Sequence, residues 1–417
     1  MAEGLLKVDE WLTDSLKWIV RGLQLSGYFP FSIRNGKLEL AKYSTVLLAW
    51  STLLIVLTFA HVFTFITDLQ DFLGDVPYGE IEKLTVRGLA VLLGVVSSTI
   101  KILPLLYRKS LMHFWTENCI TLQFLACRGS DRFDFKLQRI LDDLAKRSNR
   151  LIFALAAATP VIVFALNLRR APQLFDSILR TRWWYFFKVM GNYTFWMFLS
   201  LIDGFFWLSI SYFLRLYTSI FTKLREKLRN MNKAVTLSYN QHLHSGLAVQ
   251  RGLYPKGDDN LEMDLAHIIE SFSRVERSIA ELNNFFGSVV VLEMGLSVTY
   301  VLVYSFSCVS GLLGGQFMFA FGLAIWCIMF ASRLFILGTD SSNMSTAALD
   351  MASEFLVSAR GKAYFGHELS QHVKLMHCSS KFYMCPSVSR FFNTGLHGCN
   401  EGDDKTAATC TRKFFQP

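Results

Sequence analysis

Hydrophobic positions along this chain follow two rhythms. In six stretches they run almost unbroken: Ser44–Ile66, Gly88–Leu106, Leu151–Leu168, Val189–Leu214, Phe285–Leu312 and Gly315–Ile336. At about 1.5 Å per helical residue, about 20 residues cross the hydrocarbon of a bilayer, so each stretch predicts a membrane-spanning helix. Only Leu313-Gly314 separates the last two, which predicts a tight helical hairpin. Elsewhere apolar residues recur at i, i+3, i+4 and i+7, the mark of a helix with one apolar face. Leu5, Trp11, Leu12, Leu16, Ile19, Val20 and Leu23 make such a face near the N-terminus, which predicts a helix lying in the inner membrane interface. Arg215–Lys233 and Leu261–Asn284 repeat the pattern, the second with Leu261, Leu265, Ile268, Ile269, Phe272, Val275, Ile279 and Leu282 in one stripe. Gly246, Gly252, Pro255 and Gly257 break the chain between them. A further helical segment, Ser342–His377, follows the sixth span.

The fold class that follows is all-α: a polytopic membrane helical bundle of six spans whose fourth and fifth helices continue into the cytoplasm and pack there. The expected organisation begins with a cytoplasmic N-terminal segment (1–43) carrying the interfacial helix. A transmembrane bundle (44–336) follows and includes the helical extensions 215–284. A cytoplasmic C-terminal helix (337–396) and a polar tail (397–417) complete it. Composition agrees, since 52% of the residues are hydrophobic and 18% charged, against about 25% charged in soluble domains. Lys and Arg set the orientation. Six lie before Ser44, nine in the second loop (107–150) and ten in the fourth (215–284), while acids outnumber bases in the first loop and the fifth has no charge. The N-terminus is therefore expected in the cytoplasm.

The net charge of +9 sits beside the apolar runs, so the expected partner is anionic lipid rather than nucleic acid. No P-loop, GxSxG, HExxH or strand-borne GxGxxG is present, and no enzyme, cofactor or metal site is expected. The eight cysteines form no CxxC pair. Ionisable residues inside the spans are His61, Lys101, Asp203, Glu293 and Arg333. Charges at such depth default to a functional role. Lys101 and Glu293 both fall in inner halves and are expected to pair or share a cavity, with snorkelling of Lys101 as the alternative. Asp203 lies near mid-depth of the fourth span, and Arg333 is expected to snorkel at the inner edge. Aromatic and polar residues gather in the outer halves: Asn167, Tyr193, Trp196, Tyr300, Tyr304 and Gln316. Together they suit an outward-opening pocket for a small organic ligand, and helix packing alone also accounts for each of them.

These features resemble the arthropod gustatory receptor family, relatives of the insect odorant receptors. Arg21-Gly22-Leu23-Gln24-Leu25-Ser26-Gly27-Tyr28-Phe29-Pro30 is similar to that family's lead-in to the first span. Leu224-Arg225-Glu226-Lys227-Leu228-Arg229-Asn230-Met231-Asn232 resembles its basic leucine-asparagine segment, and Leu282-Asn283-Asn284-Phe285-Phe286-Gly287 its approach to the fifth span. The resemblance implies a tetrameric ligand-gated cation channel for small-molecule tastants, homomeric or mixed with related receptors. It also implies residence in the plasma membrane of a chemosensory neuron. The departure comes at the end. The family closes with a seventh, pore-lining span, whereas Phe391–Leu396 here leads into HGCNEGDDKTAATCTRKFFQP, too polar to cross a bilayer. That ending is read as an alternative or misjoined one, and retention in the endoplasmic reticulum is the alternative for a truncated form. Two other readings stay open: a non-conducting, modulatory subunit that co-assembles with complete receptors, and a secondary transporter.

Overall fold

The computed structural model of the chain describes residues 2–27, 29, 31–34, 37–39, 46–60, scattered positions between 84 and 103, and residues 106–127, 137–167, 179–180, 204–233, 259–315 and 317–360. Helices dominate. The N-terminal helix α1 (Ala2–Leu25) buries Leu12, Leu16, Ile19 and Leu23, one stripe at helical spacing. The covering surface is protein: α1 packs against α3 (Arg108–Cys127) and α4 (Leu137–Asn167). Ser15 Oγ and the buried Tyr212 hydroxyl share a hydrogen bond of 2.5 Å. At Gly22 a Cβ would overlap the ring of Phe205, so a side chain at this position would separate the two segments.

Gly27 ends α1. Its φ of 77° lies in the left-handed region that glycine enters without penalty. From there its N–H reaches Gln24 O at 3.1 Å, and Phe29 N–H reaches Leu23 O at 3.1 Å, satisfying carbonyls that the helix leaves open. Trp50 Nε1–H donates to Leu25 O at 2.7 Å, which holds α2 (Val46–Ala60) against the end of α1. Between α1 and α2 the all-helical expectation meets its one departure among the described residues. Strands β1 (Ser32–Arg34) and β2 (Lys37–Glu39) form an antiparallel hairpin, with Ile33 opposite Leu38.

The remaining helices are α5 (residues 204–233), α6 (Asp259–Leu313) and α7 (Phe317–Arg360). At 1.5 Å per residue α6 is about 80 Å long and α7 about 65 Å, each more than twice the hydrocarbon thickness of a bilayer. Neither contains proline, and Pro255 precedes α6. Gly314-Gly315 joins the two helices, with Gly315 at φ 71° and its N–H on Leu312 O at 3.1 Å. The hairpin expected from the sequence is there.

The chain divides into two compact units, residues 1–213 with 281–337, and residues 214–280 with 338–417. The breaks fall within a few residues of where the fourth apolar run ends, the fifth begins and the sixth ends. In the second unit the described helices enclose an apolar core of Leu216, Ile220, Phe221, Leu224 and Leu228 from α5. Leu265, Ile268, Phe272, Val275 and Ile279 of α6 join it, with Met344, Met351 and Phe355 of α7. The rings of Phe221 and Phe272 meet at 5.4 Å. Two ion pairs tie α5 to α7. Arg215 Nε donates to both carboxylate oxygens of Asp340 at 2.8 Å in a largely buried setting, and ten residues on, Arg225 meets Asp350 at 2.6 Å near the surface. The equal offset requires the helices to run parallel there.

The surfaces of the two units differ in kind. Every large exposed hydrophobic residue among the described ones belongs to the first unit, including Leu53, Val56, Phe59, Leu302, Phe306, Val309, Phe321, Ile328 and Phe335. The exposed positions of α5, α6 and α7 in the second unit are Thr, Lys, Glu, Arg, Asn, Ser and Ala. Two helical stretches, Val289–Leu313 and Ala320–Phe355, are long and apolar enough to cross a membrane. The second is 36 residues long because hydropathy counts the apolar core of the second unit with the span. The change of surface chemistry trims it: Phe335 is exposed, and beyond it the exposed residues are Thr339, Ser342, Asn343, Thr346 and Ser353.

Candidate functional site

The sequence-expected residues Tyr300 and Tyr304 stand one turn apart on α6 and meet the α7 arm of the hairpin. Tyr300 stacks on Tyr304 with centroids 5.2 Å apart at 19°, and on Phe330 at 4.7 Å and 18°. Trp326 stacks on Phe330 at 5.7 Å and meets Tyr304 edge-on at 5.9 Å. Pairs of this kind contribute about 0.5–1.5 kcal/mol each beyond the area they bury. Leu296 completes the buried cluster, and Val96, Ile325 and Met329 pack around it.

Cysteine contacts set the hairpin's register beside this cluster and nearer the turn. Cys308 Sγ lies 3.3 Å from Ala320 O, and Cys327 Sγ lies 3.7 Å from Val301 O and 3.1 Å from Ser305 Oγ. Both cysteines are free thiols. Trp326 Nε1 and Ser297 Oγ are buried without a hydrogen-bond partner among the described residues. The seam is thus aromatic, with two polar atoms buried along its helices. Tyr300 is fully packed, and Tyr304 is half-buried against it.

Glu293 is buried on the same α6 stripe, two turns from Tyr300. Arg333 does not extend outward as expected of a snorkelling residue. It is buried, with its guanidinium 5.0 Å over the ring of Phe330, a cation–π contact that offsets part of the cost of burying the charge. Lys101, Asp203, Tyr193, Trp196, Gln316 and His61 lie outside the described residues, and so does the side chain of Asn167 at the end of α4. The expected pairing of Lys101 with Glu293 therefore falls there too. Among the described residues no group of His, Cys, Asp or Glu could hold a metal ion.

Sequence reasoning missed Trp326 and Phe330. They sit in a run that is apolar all round, where periodicity does not say which face turns inward. The hairpin turn was the available signal, because the short Leu313–Gly315 link brings residues equally far from it into register.

No protein-family model matches the chain, and no curated protein matches it in sequence. Among solved structures it is similar to an insect olfactory receptor, OR5 from Machilis hrabei, with a TM-score of 0.60 at 12% identity. The match covers 93% of this chain and 98% of that one. The chain thus has the fold of an insect olfactory receptor.

Proposed function

We propose that this chain is a gustatory-type chemoreceptor subunit of the insect receptor class, a ligand-gated cation channel for small-molecule tastants. The observation that carries the proposal is the fold shared with an insect olfactory receptor over 93% of the chain. The exposed apolar surface, confined to one unit among the described residues, supports it as well, since lipid is the solvent in which such a surface is stable. In this reading the N-terminus is cytoplasmic, six helices span the plasma membrane, and the second unit is cytoplasmic. The tastant occupies an outward-opening pocket among Asn167, Tyr193, Trp196, Tyr304 and Gln316, with Tyr300 and its aromatic partners as the floor. A tastant that prefers the open state shifts the gating equilibrium by that preference. Four subunits, alike or mixed with related receptors, enclose the pore.

The second reading is a subunit that modulates related receptors without conducting by itself. Whole-cell recording separates the two. The chain is expressed alone and with a complete relative, and panels of sugars and bitter compounds are applied. A ligand-evoked cation current from the chain alone is the expected result. Current only in the co-expressed cells, altered by this chain, assigns the modulatory role. Sodium- or proton-coupled uptake without current would overturn both readings in favour of a transporter.

A further inference from the structure

Helix α1 carries two opposed stripes. Leu12, Ser15, Leu16, Ile19, Gly22 and Leu23 face the protein and are buried. Asp14, Lys17, Trp18, Arg21 and Leu25 share the opposite face and are exposed. A polar face needs no explanation on a helix packed by its other side, but this one is not simply polar. Trp18 is 56% exposed and Leu25 66% exposed, with Lys17 and Arg21 between and beside them. Arg21 places its guanidinium 5.4 Å over the Trp18 ring, which leaves the aromatic and the cation side by side at the surface. The Trp50–Leu25 hydrogen bond fixes this face beside α2, whose Val46, Leu48, Leu53, Val56, Leu57 and Phe59 are exposed. An exposed Trp flanked by Lys and Arg, next to the end of an exposed apolar helix, is the chemistry of a bilayer interface. The indole sits at headgroup depth, the apolar side chains face acyl chains, and the cations face phosphate.

We infer that this face of α1 docks on the headgroups of anionic phospholipids in the inner leaflet and holds the N-terminal helix down beside the first span. The inference rests on the membrane reading above and names the lipid class and the residues. Lys17 and Arg21 supply the attraction against Asp14, the one acid among the described side chains of this face, and Trp18 and Leu25 supply the apolar contact. Lys7 lies on the same helix, about three turns before Lys17. Attraction of this kind falls about fivefold for each basic residue removed near a charged leaflet.

The test uses the full chain purified in mild detergent and phosphatidylserine as probe, with phosphatidylcholine for comparison. Native mass spectrometry counts the lipid retained. The account expects phosphatidylserine to be retained over phosphatidylcholine. It expects the preference to fall by more than tenfold in Lys17→Gln/Arg21→Gln and to weaken in Trp18→Ala. Lys146→Gln/Arg147→Gln, an exposed basic pair on α4, should leave it unchanged. All four positions that are altered in the basic variants are exposed, so gel filtration should report folded protein throughout. Equal retention in both double variants would overturn the inference, as would displacement of the lipid by soluble inositol hexakisphosphate, which would assign the face to free phosphates. Alkaline extraction of native membranes keeps the two levels apart. Release of the chain by carbonate sinks the membrane reading itself, whereas a chain that stays in the membrane with indifferent lipid retention sinks only the docking face.

Discussion

Between Leu265 and Ile279, α6 hides Leu265, Ile268, Phe272 and Val275 and turns Ser273 and Arg277 outward. Between Val289 and Leu313 the same helix hides Glu293 and Ser297 along with Val289, Met294, Leu296 and Tyr300, and turns Leu302, Phe306 and Val309 outward. α7 repeats the change in the other direction, from exposed Phe321, Ile328 and Phe335 to exposed Ser342, Thr346 and Ser353. A helix has no means of inverting its own surface preference, so under the proposed function the solvent changes along its length. Water demands the first arrangement because apolar area is best removed from it. Hydrocarbon tolerates the second because it solvates apolar side chains and leaves polar groups to find protein. Hydropathy alone does not draw this line, since the buried core of a water-soluble unit and the outside of a membrane unit contain the same residues.

The comparison can be broken at several points. The largest effect is expected in the second unit, where Asp340→Ala leaves the largely buried Arg215 without its carboxylate. A loss of about 3–5 kcal/mol should appear in thermal unfolding of the solubilised protein. Asp350→Ala, on the half-exposed rung of the same ladder, should cost no more than about 1 kcal/mol. Equal costs would mean that water reaches both rungs alike. Leu302→Arg places a cation on the outward face of the first unit and should lower membrane insertion by about 2.5–3.5 kcal/mol, read as the inserted fraction in a translation–membrane assay. Ser342→Arg, outward on the second unit, should stay within about 0.5 kcal/mol in thermal unfolding. Gly22→Leu forces Phe205 away from α1 and should destabilise by about 1–3 kcal/mol, with Gly22→Ala milder, both read from melting temperature.

The smallest effect concerns pH. Lys223 donates to Glu226 at 2.8 Å and its charge adds to the attraction, holding that carboxyl below its usual range. A lowered folded-state value means that any stabilisation is present above the unfolded value, about pH 4.3, and is lost as pH falls through the lowered one. The pair is exposed on α5, so Glu226→Gln should leave the melting temperature unchanged at pH 7.

Much of the second unit was legible beforehand. Of the stripe read on α6, Leu265, Ile268, Phe272, Val275, Ile279 and Leu282 are buried, because a soluble helix must show its inward face as a 3.6-residue period. The turn at Leu313-Gly314 was legible for another reason: the Gly314-Gly315 pair falls between two apolar runs that are each long enough to span. What could not be read were the partners across helices. Arg215 and Asp340 are 125 residues apart, and local spacing says nothing about such pairs. The aromatic seam was half-visible, since Tyr300 and Tyr304 announced themselves by their hydroxyls while Trp326 and Phe330 were lost among apolar neighbours. Trp18 and Leu25 also went unread, since an apolar stripe on one face of α1 drew attention from the other.

The most direct test of the two-solvent account is a cysteine-accessibility scan along α7 in a background without native cysteines. Single substitutions at Phe321, Ile328, Phe335, Thr339, Ser342, Thr346 and Ser353 are exposed to a membrane-impermeant maleimide in intact and in permeabilised cells. The account predicts no labelling at Phe321 and Ile328 in either condition, and strong labelling at Ser342, Thr346 and Ser353 only after permeabilisation. Labelling of Phe321 and Ile328 to the same extent as Thr346, or labelling of Thr346 in intact cells, would contradict it.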